Sequence, residues 1–374
     1  MTLIGAQRIV IGMYDGLGMD YLEANSLPTF CFMSQRGFFK RVNAVFPTVT
    51  NANNVSICCG AWPKDHGITG NSYFNEQTGV ADYMESAEFI RVPTIIQRAA
   101  GRGVKSALLT AKVKTIHLLG KGAAIAIAAE APPAEWVGLY GKPANIYSCE
   151  INYWLWEVAV DLLKHRNDIG LLYVHTTDFP MHTWAPEERQ SKEHLERLDG
   201  LLAKALEAAP DAAFLLTADH GMNYKTRCWD LAKACRELGV EVRFALSAEK
   251  DRYVKHHRTF GGAAWVWLNS PEDEQIVTQT LKSLTGVEAV LPRREAAEKY
   301  GLMAERIGDL AVFGDAQTVF GELTAPMEQL EGGYRSHGSL HESDIPLIIY
   351  NSSVTLPRPE AFTANLDLTR HLLT

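Results

Sequence analysis

Residues 212–221 read AAFLLTADHG: six apolar side chains and one threonine run without a charge into Asp219 and His220, and Gly221 follows. A short continuous apolar run closed by a turn signal is the pattern of a strand buried on both faces, as in sheets covered by helices. In such open sheets, ligands collect beyond the carboxyl ends of the strands. An acid and an imidazole side by side at that point offer a carboxylate oxygen and a ring nitrogen to one ion, and the glycine lets backbone approach closely.

The same rhythm extends in both directions. RIVIGMY at 8–14, KSALLT at 105–110, GLLYVHT at 170–176 and IPLIIY at 345–350 are β-rich runs. Between them lie TIIQRAAGRG, EINYWLWEVAVDLLKHR and EERQSKEHLERLDGLLAKALEAA, whose apolar residues recur at three and four. Strands alternating with helical patterns predict an α/β fold with helices on both faces of a central sheet. From about 246 the pattern loosens through AAWVWL, EQIVTQTLKSL and DLAVFG, so 246–333 is expected to be an inserted cap, with 1–245 and 334–374 forming the core.

Further ligand types stand at the predicted strand ends. Asp15 follows the first strand, Asp178 and His182 follow the strand at 170–176, and His337 lies in Ser336-His337-Gly338. With Asp219 and His220 these are enough for two metal ions with three protein ligands each and open positions for substrate. Two such ions make a phosphoryl-transfer site. Each residue alone has an ordinary structural use, Asp15 as a cap and His337 as a surface histidine. Pro180 argues against a regular helical turn between Asp178 and His182, so a loop is expected to bring them together.

Residues 46–71, FPTVTNANNVSICCGAWPKDHGITGN, predict a turn and a helix with Thr50 or Asn51 as N-cap. A hydroxyl at that helix N-terminus sits where the dipole and free amides favour negative charge. A neighbouring metal would lower its pKa and make it a nucleophile without a histidine base.

Composition bounds the partners. The net charge of -8 argues against nucleic-acid binding, for which basic residues spread over one face are expected. No apolar run is long enough to span a membrane. MTLIGAQRIVIGMYDG has neither the basic start nor the cleavage site of a secretory signal, and the six cysteines form no CxxC pair. A soluble cytoplasmic protein with reduced thiols is expected, acting on a small molecule, and a homodimer is compatible with this reading.

Taken together, these motifs resemble the alkaline phosphatase superfamily, in the branch of nucleotide pyrophosphatases/phosphodiesterases and phosphonoacetate hydrolases. The resemblance runs from the first strand through DHGMN to RSHGSLHESDIPLIIY. It implies a mixed, mostly parallel central sheet and two zinc ions, with manganese or iron as alternatives. It implies Thr50, rather than Thr48, as the nucleophile, with Asp15, Thr50, Asp219 and His220 holding one metal and Asp178, His182 and His337 the other. Asn71 matches the asparagine that hydrogen-bonds the phosphoryl oxygens.

TAKVKTIHLLGKG, residues 110–122, separates the subgroups. It is similar to a segment of the phosphonoacetate hydrolases whose two lysines bind the substrate carboxylate, here Lys112 and Lys114. Their structural alternative is a pair of solvated lysines at a strand end. TNANN is also closer to those hydrolases than to the FPNH of nucleotide phosphodiesterases. YVKHHRTFGG at 253–262 resembles a His-His segment of the same enzymes, where His256 and His257 are expected to serve the cap structurally. The implied reaction is cleavage of phosphonoacetate to acetate and phosphate through phospho-Thr50. The alternative is phosphodiester or pyrophosphate hydrolysis on the same metals, and a third reading is a binding protein of this fold without turnover.

Overall fold

Strand β1 (Ile9–Tyr14) is buried along its whole length because it lies at the centre of a seven-stranded sheet. The sheet also contains β2 (Phe38–Asn43), β3 (Lys105–Thr110), β4 (Ile125–Ala128), β5 (Ile169–His175), β6 (Ala213–Ala218) and β11 (Asp344–Tyr350). Their order is β2-β11-β6-β1-β5-β3-β4. The computed structural model describes residues 2–373; the side chains of His256 and His257, singled out in the sequence, lie outside the described residues.

β1 pairs in parallel with both β5 and β6, and β3 in parallel with β4 and β5. Only β11 runs antiparallel within this sheet, to β6 on one side and β2 on the other. This is the mixed, mostly parallel α/β sheet expected. The five strands read from the sequence are present to within a residue at each end. β2 and β4 were not anticipated, because FFKRVN alternates exposed and half-buried positions and IAIA is very short.

Helices Pro28–Arg36, Glu150–His165 and Arg189–Ala208 pack together against the sheet, and Thr50–Cys59, Ile95–Gly101 and Val113–Leu119 form a second group. Arg189–Ala208 shows why: its leucines 195, 198, 201 and 202 are buried while its charged residues face out, a 3.6-residue stripe. Gly12 marks a close approach, since a Cβ there would lie 3.0 Å from Leu216 and 3.2 Å from Trp156. Trp156 in turn stacks on Tyr14 at 5.6 Å between centroids, a contact worth about 0.5–1.5 kcal/mol beyond area burial.

A second, fully antiparallel sheet comprises β7 (Phe244–Ser247), β8 (Ala263–Trp267), β9 (Val287–Pro292) and β10 (Leu310–Gly314), in the order β7-β8-β10-β9. One of its faces packs on helices Leu231–Glu237 and Glu274–Ser283 through Ala264, Val266, Val277 and Leu281. Its other face joins the main core through Trp265, Trp267 and Phe313. The loop between β7 and β8 starts at Ala248, whose carbonyl accepts the Asn71 N–H at 2.9 Å.

Candidate metal centre and active site

The carboxyl ends of β1, β5 and β6 deliver Asp15, His175 and Asp219 to one place, because parallel neighbours in register end together. Asp15 is 1% exposed, and its N–H is held by the Thr176 hydroxyl at 2.9 Å. Asp219 accepts the N–H groups of Gly16 and His220, each at 3.0 Å, through one oxygen. Gly16 makes the first of these contacts with φ +77°, a conformation that glycine adopts without cost.

His220, His182 and His337 share one arrangement. Their Nδ1 atoms lie 3.0, 2.8 and 2.8 Å from the backbone carbonyls of Gly221, Arg335 and Thr48. A carbonyl only accepts, so each Nδ1 carries a proton, which leaves Nε2 as the ring atom that would serve a cation. All three Nε2 atoms face carboxylates. His182 is 2.9 Å from Asp178 and His337 3.7 Å from Asp178, while His220 lies 3.5 Å from Asp15 and 3.4 Å from Asp219.

Burial depresses the His220 imidazole below its ordinary value despite Asp15 and Asp178. Burial pushes the Asp219 carboxyl well up, and neighbouring Asp15 adds to this. For Asp15, burial and Asp178 act upward, but Lys112 and His175 outweigh them and hold it low.

This donor set fits metal ions. Both oxygens of Asp15, Oδ2 of Asp219 and Nε2 of His220 are buried without a hydrogen-bond partner among the described residues. Buried polar atoms are nearly always paired, so such a cluster of carboxylate oxygens and imidazole nitrogens is what a cation would satisfy. Among the described residues, donor atoms lying within 4.8 Å of one another form two groups: Asp178, His182 and His337, and Asp15, Asp178 and His220. Asp178 belongs to both, and Asp219 stands beside the second through its contact with His220.

Asp178 and His182 do not meet across a loop. Asp178 is the N-cap of a one-turn helix, Phe179–Thr183, which puts His182 four residues on and above it. Pro180 is tolerated because the first-turn amides have no intrahelical partner to lose.

Thr50 is the first residue of helix Thr50–Cys59, with Val49 rather than Thr50 or Asn51 in the N-cap position. Its side chain, 2% exposed, takes no part in a hydrogen bond among the described residues. Thr48 is different: its hydroxyl donates to the Ser339 carbonyl at 2.7 Å and accepts the Gly338 N–H at 3.0 Å, fastening the loop that carries His337. Asn71 accepts the Asn51 N–H at 3.0 Å, next to Thr50, and its own amide nitrogen is buried without a partner.

Lys112 and Lys114 are 3% and 2% exposed, so neither is solvated. The Lys112 ammonium lies 3.6 Å from both Asp15 and Asp178. Lys114 is bonded to Asp251 in a buried ion pair. Both ammoniums stand 5.4 Å from the ring centroid of Tyr253.

Sequence reasoning missed several neighbours of the site. His175 touches Asn54 at 3.0 Å through Nδ1, and since the Tyr173 hydroxyl donates to the other end of that amide, the amide nitrogen faces the ring. Nδ1 then accepts, Nε2 carries the proton, and it points at Asp15 across 3.4 Å. His175 therefore turns its N–H toward Asp15 as an electrostatic neighbour rather than a hydrogen-bonded partner. Glu249, Asp251 and Tyr253 follow β7 in AEKDRY, where no periodicity marks them. Glu249 is buried 3.7 Å from His337. Among the described residues all six cysteines are free, and no helix is long and apolar enough to cross a membrane.

Residues 9–339 match the family model described as Type I phosphodiesterase / nucleotide pyrophosphatase. The phosphonoacetate hydrolase of Sinorhizobium meliloti 1021, in complex with phosphonoformate, is similar in structure with a TM-score of 0.86 and 29% identity over 97% of this chain and 94% of that one. Murine ectonucleotide pyrophosphatase / phosphodiesterase 5 shares the fold, with a TM-score of 0.68 and 17% identity over 97% and 93% of the two chains. A venom phosphodiesterase of Naja atra is 25% identical over 227 residues, 57% of this chain and 26% of the relative. A Caenorhabditis elegans ectonucleotide pyrophosphatase/phosphodiesterase is 32% identical over 83 residues, 22% of this chain and 10% of that relative. The chain thus spans about a quarter or less of the length of these curated relatives. A family match across most of the chain, joined to a cluster of carboxylates and imidazoles at the strand ends, shows that the chain belongs to the Type I phosphodiesterase / nucleotide pyrophosphatase family.

Proposed function

We propose that this enzyme cleaves the carbon–phosphorus bond of a short carboxylated phosphonate, phosphonoacetate in the simplest case, to acetate and phosphate. The observation that carries the reading is the burial of Lys112 between Asp15 and Asp178. A buried ammonium needs an anionic partner. Once those two carboxylates serve cations, Lys112 needs another anion, and a substrate carboxylate supplies one beside the phosphoryl group. The similarity to a phosphonoacetate hydrolase along nearly the whole chain supports the same choice.

Asp178, His182 and His337 would hold one divalent ion and Asp15, Asp219 and His220 another, with Thr50 beside the latter; zinc suits this mixture of imidazole and carboxylate. Ions bound there would neutralise phosphonate oxygens and make hydroxyl groups acidic at neutral pH. The chain's own residues do the rest. Thr50, having lost its proton to solvent, attacks phosphorus; the Thr50 O–P bond forms as the P–C bond breaks. The electron pair leaves on acetate as its enolate, which the lysine beside the carboxylate stabilises and water protonates. Asn71, held by the Asn51 N–H, turns its amide nitrogen toward the phosphoryl oxygens. Water then attacks phospho-Thr50, releasing phosphate and restoring the hydroxyl.

The second reading, phosphodiester or pyrophosphate hydrolysis at the same site, is favoured by the family match and the curated relatives. Proton and phosphorus NMR of a zinc-supplemented reaction tests the first: acetate and phosphate must appear in equal amounts from phosphonoacetate. A phosphodiester cleaved under conditions where no acetate forms would favour the second.

A further inference from the structure

The lysine pair is not self-supporting. Lys112 is the N-cap of helix Val113–Leu119 and Lys114 lies in its first turn, but the ion-pair partner of Lys114 and the ring beside both ammoniums come from the loop after β7, more than a hundred residues downstream. Asp251 takes the Lys114 ammonium in an ion pair whose side chains are 1% and 3% exposed. Tyr253 places its ring beside both ammoniums, the geometry of a cation–π contact. Its hydroxyl donates to Glu130 at 2.7 Å, and Glu130 also accepts the Val113 N–H at the start of the lysine helix. The loop is pinned at its other end as well, where the Ala248 carbonyl accepts the Asn71 N–H at 2.9 Å and the Ser72 hydroxyl bonds the Lys250 carbonyl. One short loop thus touches both the phosphoryl-binding asparagine and the two lysines.

We infer that Asp251 and Tyr253 are specificity-determining positioning residues, which hold the Lys112–Lys114 pair so that it selects phosphonates ending in one carboxylate. The inference rests on the proposed function. An ammonium has three donors, so Lys114 can bond Asp251 and a substrate carboxylate together. Without Asp251, a four-carbon stem with many rotamers loses the ion pair that fixes its head. With Asp251 present, one of the two lysine charges is already balanced, which leaves the site suited to a single carboxylate. Lys112, 3.6 Å from Asp15 and Asp178, ties that carboxylate to a position next to the phosphoryl site and so to a short substrate.

Calorimetric titration of the zinc-loaded full chain carrying Thr50→Ala, which removes turnover, with phosphonoacetate and with methylphosphonate, which lacks the carboxylate, reads this directly. Asp251→Asn should lower the preference for phosphonoacetate over methylphosphonate at least tenfold, through the phosphonoacetate affinity. In a Lys114→Met background the same change should lower it no further. A preference within twofold of the original in Asp251→Asn, an equal loss for both ligands, or an undiminished effect without Lys114 would each overturn the inference. Tyr253→Leu, which leaves no charge unpaired, serves if Asp251→Asn does not fold; it should also lower the preference, and an unchanged preference there overturns the inference too. Because binding is measured, these outcomes are separate from the reaction itself. A preference for phosphonoacetate through Asp251, with no acetate released by the protein that retains Thr50, would contradict the proposed function alone.

Discussion

The imidazoles of His220 and His337 stack with centroids 3.6 Å apart and planes within 10°. They reach this contact from positions 117 residues apart, one at the end of β6 and the other in the loop before β11. Glu342 joins the two supports: its carbonyl accepts the Gly221 N–H at 2.7 Å, while its carboxylate takes the Ser339 N–H at 2.9 Å and buried Lys225 at 2.7 Å. The rings are thus fixed before any ion arrives.

Metal removal should therefore abolish activity reversibly. Chelation is expected to inactivate the enzyme and zinc to restore it, while circular dichroism stays nearly unchanged because hydrogen bonds already hold the ligands. His337→Ala and Asp178→Ala should each weaken metal affinity by tenfold or more, through loss of a ligand. Full activity in protein shown by elemental analysis to hold no transition metal would contradict the assignment.

Thr50→Ala should eliminate turnover while the metal content stays near two ions per chain, since Asp15, Asp219 and His220 remain. Thr50→Ser keeps the hydroxyl and should retain a measurable rate. Thr48→Ala, by contrast, should act through the His337 loop and lower metal affinity. Undiminished turnover in Thr50→Ala would remove this residue from the nucleophile's role.

The family and the sheet were legible because strands buried on both faces leave unbroken apolar runs, and polar side chains at their ends are conspicuous. Asp15 and Asp219 stand out for that reason. The helical turn joining Asp178 to His182 was obscured by Pro180, whose effect depends on position within the turn rather than on its presence. His175, Asp251 and Tyr253 left no trace, because their roles come from contacts spanning many residues: His175 with Asp15, and Asp251 with Lys114. The burial of Lys112 and Lys114 could not be read from a spacing common on solvated surfaces.

Truncating a lysine should be substrate-selective. Lys112→Ala is expected to reduce kcat/KM for phosphonoacetate by a factor corresponding to about 1.5–3 kcal/mol, the worth of a charge-assisted contact. Steady-state kinetics on 4-nitrophenyl phosphate, which has no carboxylate, should show a far smaller loss. Equal losses on both would mean that Lys112 supports the metal ligands and not the substrate.

Acid should destabilise the metal-free protein partly through His66. The Ile68 N–H donates to its Nδ1 at 3.1 Å, and burial, aided by Arg306, depresses the imidazole to about 3. The unfolded chain protonates first, near pH 6.5, so this stability is complete above that value and is lost as pH falls toward 3. At pH 5 the loss is about 2 kcal/mol. Urea unfolding at pH 7.5 and 5 should show a smaller pH dependence in His66→Gln than in the parent, and identical dependence would exclude this source.

The reaction itself is tested most directly by comparing kcat/KM for phosphonoacetate and for bis(4-nitrophenyl) phosphate in the same zinc-supplemented preparation. The account predicts phosphate release from phosphonoacetate with the higher kcat/KM, together with near-complete loss in Thr50→Ala. Rapid hydrolysis of the diester with no phosphate from phosphonoacetate would contradict it.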